Sequence, residues 1–216
     1  MNRRLIGVLG GTFDPVHRGH TQLAHDAVSA LALDELRCVP AGNPPHRCAP
    51  LASAKDRLAM VELAFADQPD CVIDDAEIRQ AGPSWTILTL ERLRVALPEA
   101  SLVLIVGADA FLGLPSWHRW QDLIHYAHLA VANRPGSNLD AAALPEPLKV
   151  LVQMHSAADA SELRQSPAGS IISFTMTPCE VSATQIRAAV RQQQPIAGLV
   201  AAPVENYIHQ HHLYTL

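Results

Sequence analysis

The sequence predicts an α/β fold: a doubly wound, mainly parallel sheet with helices on both faces. Apolar runs of strand length alternate with segments of helical periodicity along almost the whole chain. The run at residues 102–106 is continuously apolar between Ser101 and Gly107, as expected of a central parallel strand buried on both faces. At 216 residues the chain is long enough for one sizeable core, and this alternation is typical of a parallel sheet in a single domain.

Seven apolar runs are expected to form strands, at residues 5–9, 36–40, 71–73, 102–106, 129–132, 150–152 and 171–175. Five segments with helical spacing of apolar residues are expected to form helices, at residues 20–32, 53–66, 84–96, 182–192 and 204–211. Three of these helices begin with a serine, a preferred N-cap residue: Ser53, Ser84 and Ser182. Residues 134–147 are rich in Pro, Gly, Ser and Asn and are predicted to be a loop. We expect one domain, residues 1–216, with a helical C-terminal part from about residue 182.

Charge and cysteine content restrict the classes of function. A net charge of −5 and a pI near 6.1 argue against nucleic-acid partners and anionic membranes, so local geometry must hold any phosphate ligand. The four cysteines, Cys38, Cys48, Cys71 and Cys179, form no C-x-x-C pair, which favours free thiols in a reducing compartment. The apolar run near the N-terminus is too short for a signal peptide, and no run approaches the roughly twenty residues of a membrane span. We therefore expect a cytoplasmic protein.

The stretch that follows the first predicted strand combines a glycine pair with two histidines: Gly10-Gly11-Thr12-Phe13-Asp14-Pro15-Val16-His17-Arg18-Gly19-His20. Glycines let the backbone approach a phosphate, and the free N–H groups at a helix start attract anions. The stretch is neither a Walker A loop nor a G-x-G-x-x-G fingerprint, and it lacks the H-E-x-x-H spacing of a helical zinc site. It therefore predicts a site for nucleotide phosphates.

A second candidate group, Gly107-Ala108-Asp109, follows the strand at residues 102–106. Both groups belong at the carboxyl edge of the sheet, where ligands of doubly wound folds bind. The Asp109 carboxylate can accept hydrogen bonds from both hydroxyls of a ribose.

These motifs resemble a known family. The stretch ending at His20 resembles the (H/T)xGH signature of the nucleotidyltransferase superfamily, with His17 in the first position. Residues 181–187 are similar to its second signature, I-S-S-T-x-I-R, with Ala183 in place of the second serine. Shorter motifs resemble the bacterial nicotinate mononucleotide adenylyltransferases in order and spacing, over nearly the whole chain: Pro44-Pro45-His46-Arg47, Pro83-Ser84-Trp85-Thr86, Pro115-Ser116-Trp117-His118 and Asn133-Arg134-Pro135-Gly136.

The resemblance implies a Rossmann-like nucleotidyltransferase fold. It also implies adenylyl transfer from ATP to nicotinate mononucleotide, giving nicotinate adenine dinucleotide and pyrophosphate in NAD biosynthesis. The residues implied in catalysis are His17, His20 and Arg187. Those implied in ATP binding are Gly10, Gly11, Thr12, Phe13, His17, His20, Gly107, Asp109, Ser182, Thr184 and Arg187. Those implied in binding nicotinate mononucleotide are His46, Arg47, Trp85, Thr86, Trp117 and Arg134, with Trp117 stacked on the pyridine ring and Trp120 in the core.

The expected cofactor is Mg²⁺, which accompanies ATP and is held largely by phosphate and water, with no separate protein metal site. Two alternatives stay open. One is adenylyl transfer to phosphopantetheine, although that family usually has Thr where His17 stands. The other is a nucleotide-binding regulatory module without catalysis, against which the intact His17, His20, Ser182 and Arg187 argue. The sequence does not fix the oligomeric state and leaves a homo-oligomer open.

Overall fold

The computed structural model describes residues 3–44, 49–133 and 144–215. Six parallel strands in these ranges form one sheet in the order β3-β2-β1-β4-β5-β6. The strands are β1 (Leu5–Gly11), β2 (Glu35–Pro40), β3 (Cys71–Ile73), β4 (Ser101–Gly107), β5 (His128–Asn133) and β6 (Ile171–Thr175). The helices are α1 (Arg18–Leu31), α2 (Ala54–Phe65), α3 (Ala76–Arg79), α4 (Thr86–Ala96), α5 (Ala108–Leu112), α6 (Leu123–Tyr126), α7 (Glu146–His155), α8 (Ala183–Arg191) and α9 (Ala202–Gln210).

Helices cover both faces of the sheet, which confirms the doubly wound prediction. Successive residues of a strand point to opposite faces. Leu5 and Leu9 of β1 accordingly join a core with α1, α2, α8 and α9, whereas Ile6 and Val8 join a second core with α4, α5, α6 and α7. Full burial of each such side chain is worth about 1.5–3 kcal/mol, so both cores hold the sheet in place.

The strand predicted at residues 150–152 is wrong, because these residues lie within α7. Leu148 and Val152 are buried four residues apart, whereas Val150 and Met154 are exposed. That spacing is helical, and a run of three apolar residues was too short to reveal it. The loop predicted at 134–147 also ends earlier than expected, since α7 begins at Glu146; residues 134–143 lie outside the described residues.

The strand order reverses between β1 and β4. From β1 the chain moves to β2 and β3 on one side, and from β4 to β5 and β6 on the other. The carboxyl ends of β1 and β4, at Gly11 and Gly107, therefore flank the crevice where open α/β sheets bind ligands. Among the described residues, no helix is long and apolar enough to cross a membrane.

Gly42 packs directly against α3 beyond the end of β2. A Cβ atom at this position would overlap the backbone carbonyl of Glu77, which cannot move without shifting α3. We expect Gly42→Ala to lower the free energy of unfolding by about 2–3 kcal/mol and Tm by about 4–12 °C, as measured by thermal unfolding.

Gly113→Ala is the matched control. Its added Cβ would lie 3.6 Å from the carbonyl oxygens of Asp109 and Ala110, an ordinary contact distance. We expect no loss of Tm there, because alanine at a compatible backbone position restricts the unfolded chain. Equal Tm values for the two variants would contradict the packing argument.

Candidate active site

A cavity of about 240 Å³ opens at the carboxyl ends of β1 and β4. It is lined by eight of the residues predicted from the sequence: Gly10, Gly11, Thr12, His20, Trp85, Thr86, Gly107 and Trp117. Residues predicted for both substrates thus share one cavity wall. Other predicted residues with described positions are not part of that wall: Phe13, His17, Asp109, Ser182, Thr184 and Arg187.

The two histidines of the first motif are stacked on each other. His17 is the N-cap of α1, and its ring lies 3.8 Å from that of His20, centroid to centroid. The backbone N–H of His17 donates to Nδ1 of His20 at 3.2 Å. Because a backbone N–H only donates, Nδ1 of His20 must accept, and the ring proton of a neutral His20 lies on Nε2. The fold thus fixes His20 as an Nε2–H donor at the cavity wall.

His17 itself is a half-buried, uncharged ring. Burial lowers its pKa to about 4, so it is neutral at pH 7. Its Nδ1 is buried and has no hydrogen-bond partner among the described residues. A Cβ at Gly19 would lie 3.1 Å from the His17 ring and 3.6 Å from the carbonyl oxygen of Val181. The glycine therefore makes room for the ring and brings the chain leading into α8 beside the start of α1.

The second motif forms the start of α8, as predicted. Ser182 is the N-cap, and its side chain accepts a hydrogen bond from the N–H of Gln185 at 3.2 Å. Arg187 donates through Nη1 to the backbone carbonyl of Asp14 at 2.6 Å and through Nη2 to Oγ1 of Thr184 at 3.3 Å. The Arg187 guanidinium is thereby tied to the loop that follows β1.

The side chains of Phe13 and Asp109 differ in whether they are accessible to a nucleotide. The Phe13 side chain is buried in the core and packs edge-on against His20, with ring centroids 4.9 Å apart. The Phe13 side chain is therefore not available for the predicted ATP contact. Asp109 is exposed in the first turn of α5, whose N-cap is Gly107, so the carboxylate is not used as a helix cap.

A second group of wall residues, called the aromatic end below, consists of Trp85, Thr86, Trp117 and His118 and includes the start of α4. The rings of Trp85 and His118 lie 4.7 Å apart, and Trp117 is half-buried beside them on the cavity wall. The N-cap of α4 is Trp85, which makes no side-chain cap hydrogen bond. The N-terminus of α4, at Thr86, therefore directs N–H groups and the positive end of the helix dipole toward the cavity.

The predicted capping role of Ser84 is wrong. Its Oγ accepts hydrogen bonds from the N–H groups of Gly42 and Asn43, at 2.9 and 3.0 Å, and thus ties the segment after β2 to the start of α4. Nearby Glu77, which the sequence reading did not single out, lines the cavity. Burial raises the pKa of Glu77, whereas hydrogen bonds from Thr89 and Ser84 act in the opposite direction.

A buried arginine that the sequence reading missed joins the ends of β1 and β2. Arg57 of α2 is 1% exposed and donates through Nη1 to the carbonyls of Thr12 (2.7 Å) and Ala41 (2.5 Å). Its Nη2 donates to the carbonyl of Gly42 at 3.0 Å. Arg57 therefore fixes the two loops that border the cavity, and burial lowers its pKa. An arginine in an amphipathic helix carries no sequence signal for this role.

Three predicted residues, His46, Arg47 and Arg134, lie outside the described residues. Of the four cysteines, Cys38, Cys71 and Cys179 are free thiols, and Cys48 also lies outside the described residues.

Comparison with known proteins adds independent findings. The family model for cytidylyltransferase-like proteins matches residues 8–189. A protein of Dechloromonas aromatica, described as a probable nicotinate-nucleotide adenylyltransferase, is 46% identical over 210 residues, covering 97% of each chain. A protein of Aeromonas hydrophila with the same description is 44% identical over 209 residues, covering 97% of this chain and 96% of that protein.

Solved structures show the same fold. The nicotinic acid mononucleotide adenylyltransferase of Plasmodium falciparum, complexed with NaAD, matches with a TM-score of 0.71 and covers 98% of both chains. Its sequence identity is 15%, so this likeness shows the fold alone.

Proposed function

Because the chain belongs to the nicotinate-nucleotide adenylyltransferase family, among the cytidylyltransferase-like proteins, we infer that it transfers the adenylyl group of ATP to nicotinate mononucleotide. One structural observation carries the inference for this chain. A single cavity joins a phosphate end, with the β1 glycines and His20, to an aromatic end with Trp85, Trp117 and the start of α4. A nucleotide triphosphate and a pyridine nucleotide can therefore meet at the strand-order reversal.

The reaction needs no protein nucleophile, because the acceptor is already a phosphate. An oxygen of the mononucleotide phosphate bonds to the α-phosphorus of ATP, and the bond from that phosphorus to the bridging oxygen of pyrophosphate breaks. Catalysis then consists of alignment and of stabilising the charge on the α-phosphoryl group and on pyrophosphate. We assign the α-phosphoryl contact to Nε2–H of His20, whose tautomer the His17 backbone fixes.

The remaining ATP contacts follow from the placement of the second motif. The start of α8 lies beside His17, so Ser182, Thr184 and Arg187 are assigned to the β- and γ-phosphates. The backbone of Gly10, Gly11, Thr12 and Phe13 would border the phosphates, and Asp109 would accept the ribose hydroxyls.

At the other end, we assign the nicotinate carboxylate to the N–H groups at the start of α4, near Thr86, and the pyridine ring to Trp117 and Trp85. A charge-assisted hydrogen bond is roughly twice as strong as a neutral one, so this helix end favours nicotinate over nicotinamide. His46, Arg47 and Arg134 are retained as proposed contacts of the mononucleotide phosphate.

Mg²⁺ is proposed as the companion of ATP. The groups at the phosphate end are imidazole and N–H donors, which suit phosphate oxygens, and the described residues contain no cluster of three or more acidic, His or Cys side chains that could hold a metal. The ion would therefore be held by phosphate oxygens and water, where it neutralises phosphate charge.

The test is pyrophosphate release by the purified chain with ATP and Mg²⁺, with nicotinate mononucleotide, nicotinamide mononucleotide or phosphopantetheine as acceptor. We expect the highest kcat/KM with nicotinate mononucleotide. Faster release with phosphopantetheine would favour that alternative reaction, and no release with any acceptor would favour a binding module. A preference for nicotinamide mononucleotide would contradict the role given to the start of α4.

A further inference from the structure

The loop after β1 is held by a buried carboxylate. Asp14 is 7% exposed, and its Oδ2 accepts from the N–H of Leu51 at 2.9 Å. Its Oδ1 accepts from the N–H of Ala52 at 3.0 Å and from the hydroxyl of Tyr214 at 2.9 Å. The C-terminal segment is thus hydrogen-bonded to the loop that leads to His17.

Arg187 lies next to this carboxylate without pairing closely with it. Its Nη1 donates to the backbone carbonyl of Asp14 at 2.6 Å, whereas the same nitrogen is 3.9 Å from Oδ2. Because the carboxylate already has three neutral donors, its attraction for the guanidinium is partly satisfied. Arg187 is consequently oriented by the backbone oxygen and not drawn into contact with the carboxylate.

An unusual turn after α9 places the Tyr214 hydroxyl within hydrogen-bond distance of Asp14. Tyr214 has a φ of 64° and His212 a φ of 52°, values in the left-handed region that non-glycine residues seldom adopt. Such a conformation persists only where the surrounding contacts over-determine it. The ring is buried, and both burial and the neighbouring Asp14 raise the pKa of Tyr214, so its hydroxyl stays protonated and donates.

We propose that Tyr214 is a positioning residue for ATP, which acts by satisfying the Asp14 carboxylate and so leaving Arg187 available to the β- and γ-phosphates. This inference rests on the ATP contacts of the proposed function. Without the hydroxyl, Oδ1 of Asp14 loses a donor in a buried place, and the carboxylate attracts neighbouring cations more strongly. Arg57 also interacts with Asp14 but is held by three backbone carbonyls, whereas Nη1 of Arg187 lies 3.9 Å from Oδ2 of Asp14 and can move closer. Closer pairing of Arg187 with Asp14 then competes with ATP phosphate.

Tyr214→Phe tests this directly, since it removes the hydroxyl and keeps the ring. We expect KM for ATP to rise about five- to tenfold, the size of effect that the loss of one ordinary hydrogen bond supports. KM for nicotinate mononucleotide should change by less than about twofold. In an Arg187→Ala background the same change should have no further effect on KM for ATP, because two residues that act through one contact are not additive.

Tyr207→Phe is the matched control. The Tyr207 hydroxyl also donates to a carboxylate, Oδ1 of Asp56 at 3.0 Å, but this pair does not involve Asp14 or Arg187. We expect wild-type KM for ATP from Tyr207→Phe, with Tm recorded for each variant. If Tyr214→Phe lowers Tm and leaves KM for ATP at the wild-type value, Tyr214 is structural only and the proposal is wrong.

The KM values of Arg187→Ala and Tyr214→Phe distinguish failure of the proposed function from failure of this inference alone. A normal KM for ATP in Arg187→Ala would refute the ATP contact in the proposed function and the inference with it. A raised KM in Arg187→Ala with a normal value in Tyr214→Phe, or additive effects in the double variant, would refute the inference alone. Should Tyr214→Phe not fold, Asp14→Asn probes the same link from the other side. Because asparagine carries no charge that could compete with ATP phosphate for Arg187, KM for ATP should stay at or below the wild-type value there, and a selectively raised value would overturn the proposal.

Discussion

His20→Ala is expected to lower kcat by about 10²–10³-fold, the usual consequence of removing one preorganised donor from a transition state. The reason lies in the geometry of the first turn of α1. The backbone N–H of His17 occupies Nδ1 of His20, so the ring presents an Nε2–H donor at the cavity wall without tautomer exchange. A donor held in this way stabilises the charged transition state more than the ground state. Its removal should therefore lower kcat more than it raises KM.

The measurement is steady-state pyrophosphate release, with Tm as the check on folding. His25→Ala is the matched control, because His25 lies on the same helix but is exposed, and its ring contacts the neighbouring Asp26 at 3.4 Å. We expect wild-type kcat from it. An unchanged kcat in His20→Ala would remove His20 from the chemistry, and an equal loss in both variants would mean that the effect comes from α1 as a whole.

The sheet could be predicted from the sequence because its strands coincide with short apolar runs. The apolar run of β4 is bounded by Ser101 and Gly107. The predicted positions of β4 and β6 agree with the structure within one residue at either end. The strand predicted at residues 150–152 was wrong because the local sequence pattern is ambiguous there. Three adjacent apolar residues fit a buried strand and one turn of an amphipathic helix equally well.

The position of the cavity beside the β1 glycines was predictable for the same reason. A glycine pair directly after an apolar run can only lie at a strand end, and the order of strand and helix places that end at the ligand edge. The contacts that hold the site rigid were not predictable. Tyr214 reaches Asp14 across 200 residues of sequence, and Arg57 reaches Thr12 across 45. No periodicity or short motif encodes partners so far apart.

Ser84 shows how a tertiary contact overrides a local preference. A serine just before a helical segment favours an N-cap, as Ser53 and Ser182 confirm. At Ser84, however, the segment after β2 supplies two N–H donors to the hydroxyl, and α4 starts beyond it without a side-chain cap.

Trp117→Ala is expected to raise KM for nicotinate mononucleotide by about ten- to hundredfold, with less than about a threefold change in KM for ATP. Stacking of aromatic rings contributes about 0.5–1.5 kcal/mol beyond the burial of area, and the lost burial of the indole adds to that amount. The selectivity follows from the cavity, in which Trp117 lies on the wall with Trp85 and Thr86 at the aromatic end.

Trp120→Ala separates recognition from packing in this experiment. Trp120 belongs to the same segment and packs against the same core, but it is not part of the cavity wall. We expect Trp120→Ala to lower Tm while leaving the ratio of the two KM values unchanged, whereas Trp117→Ala should change that ratio. If Trp117→Ala instead raised KM for ATP and spared the mononucleotide, the two ends of the cavity would have to be exchanged. His20 would then face the mononucleotide phosphate, and the start of α4 would face ATP.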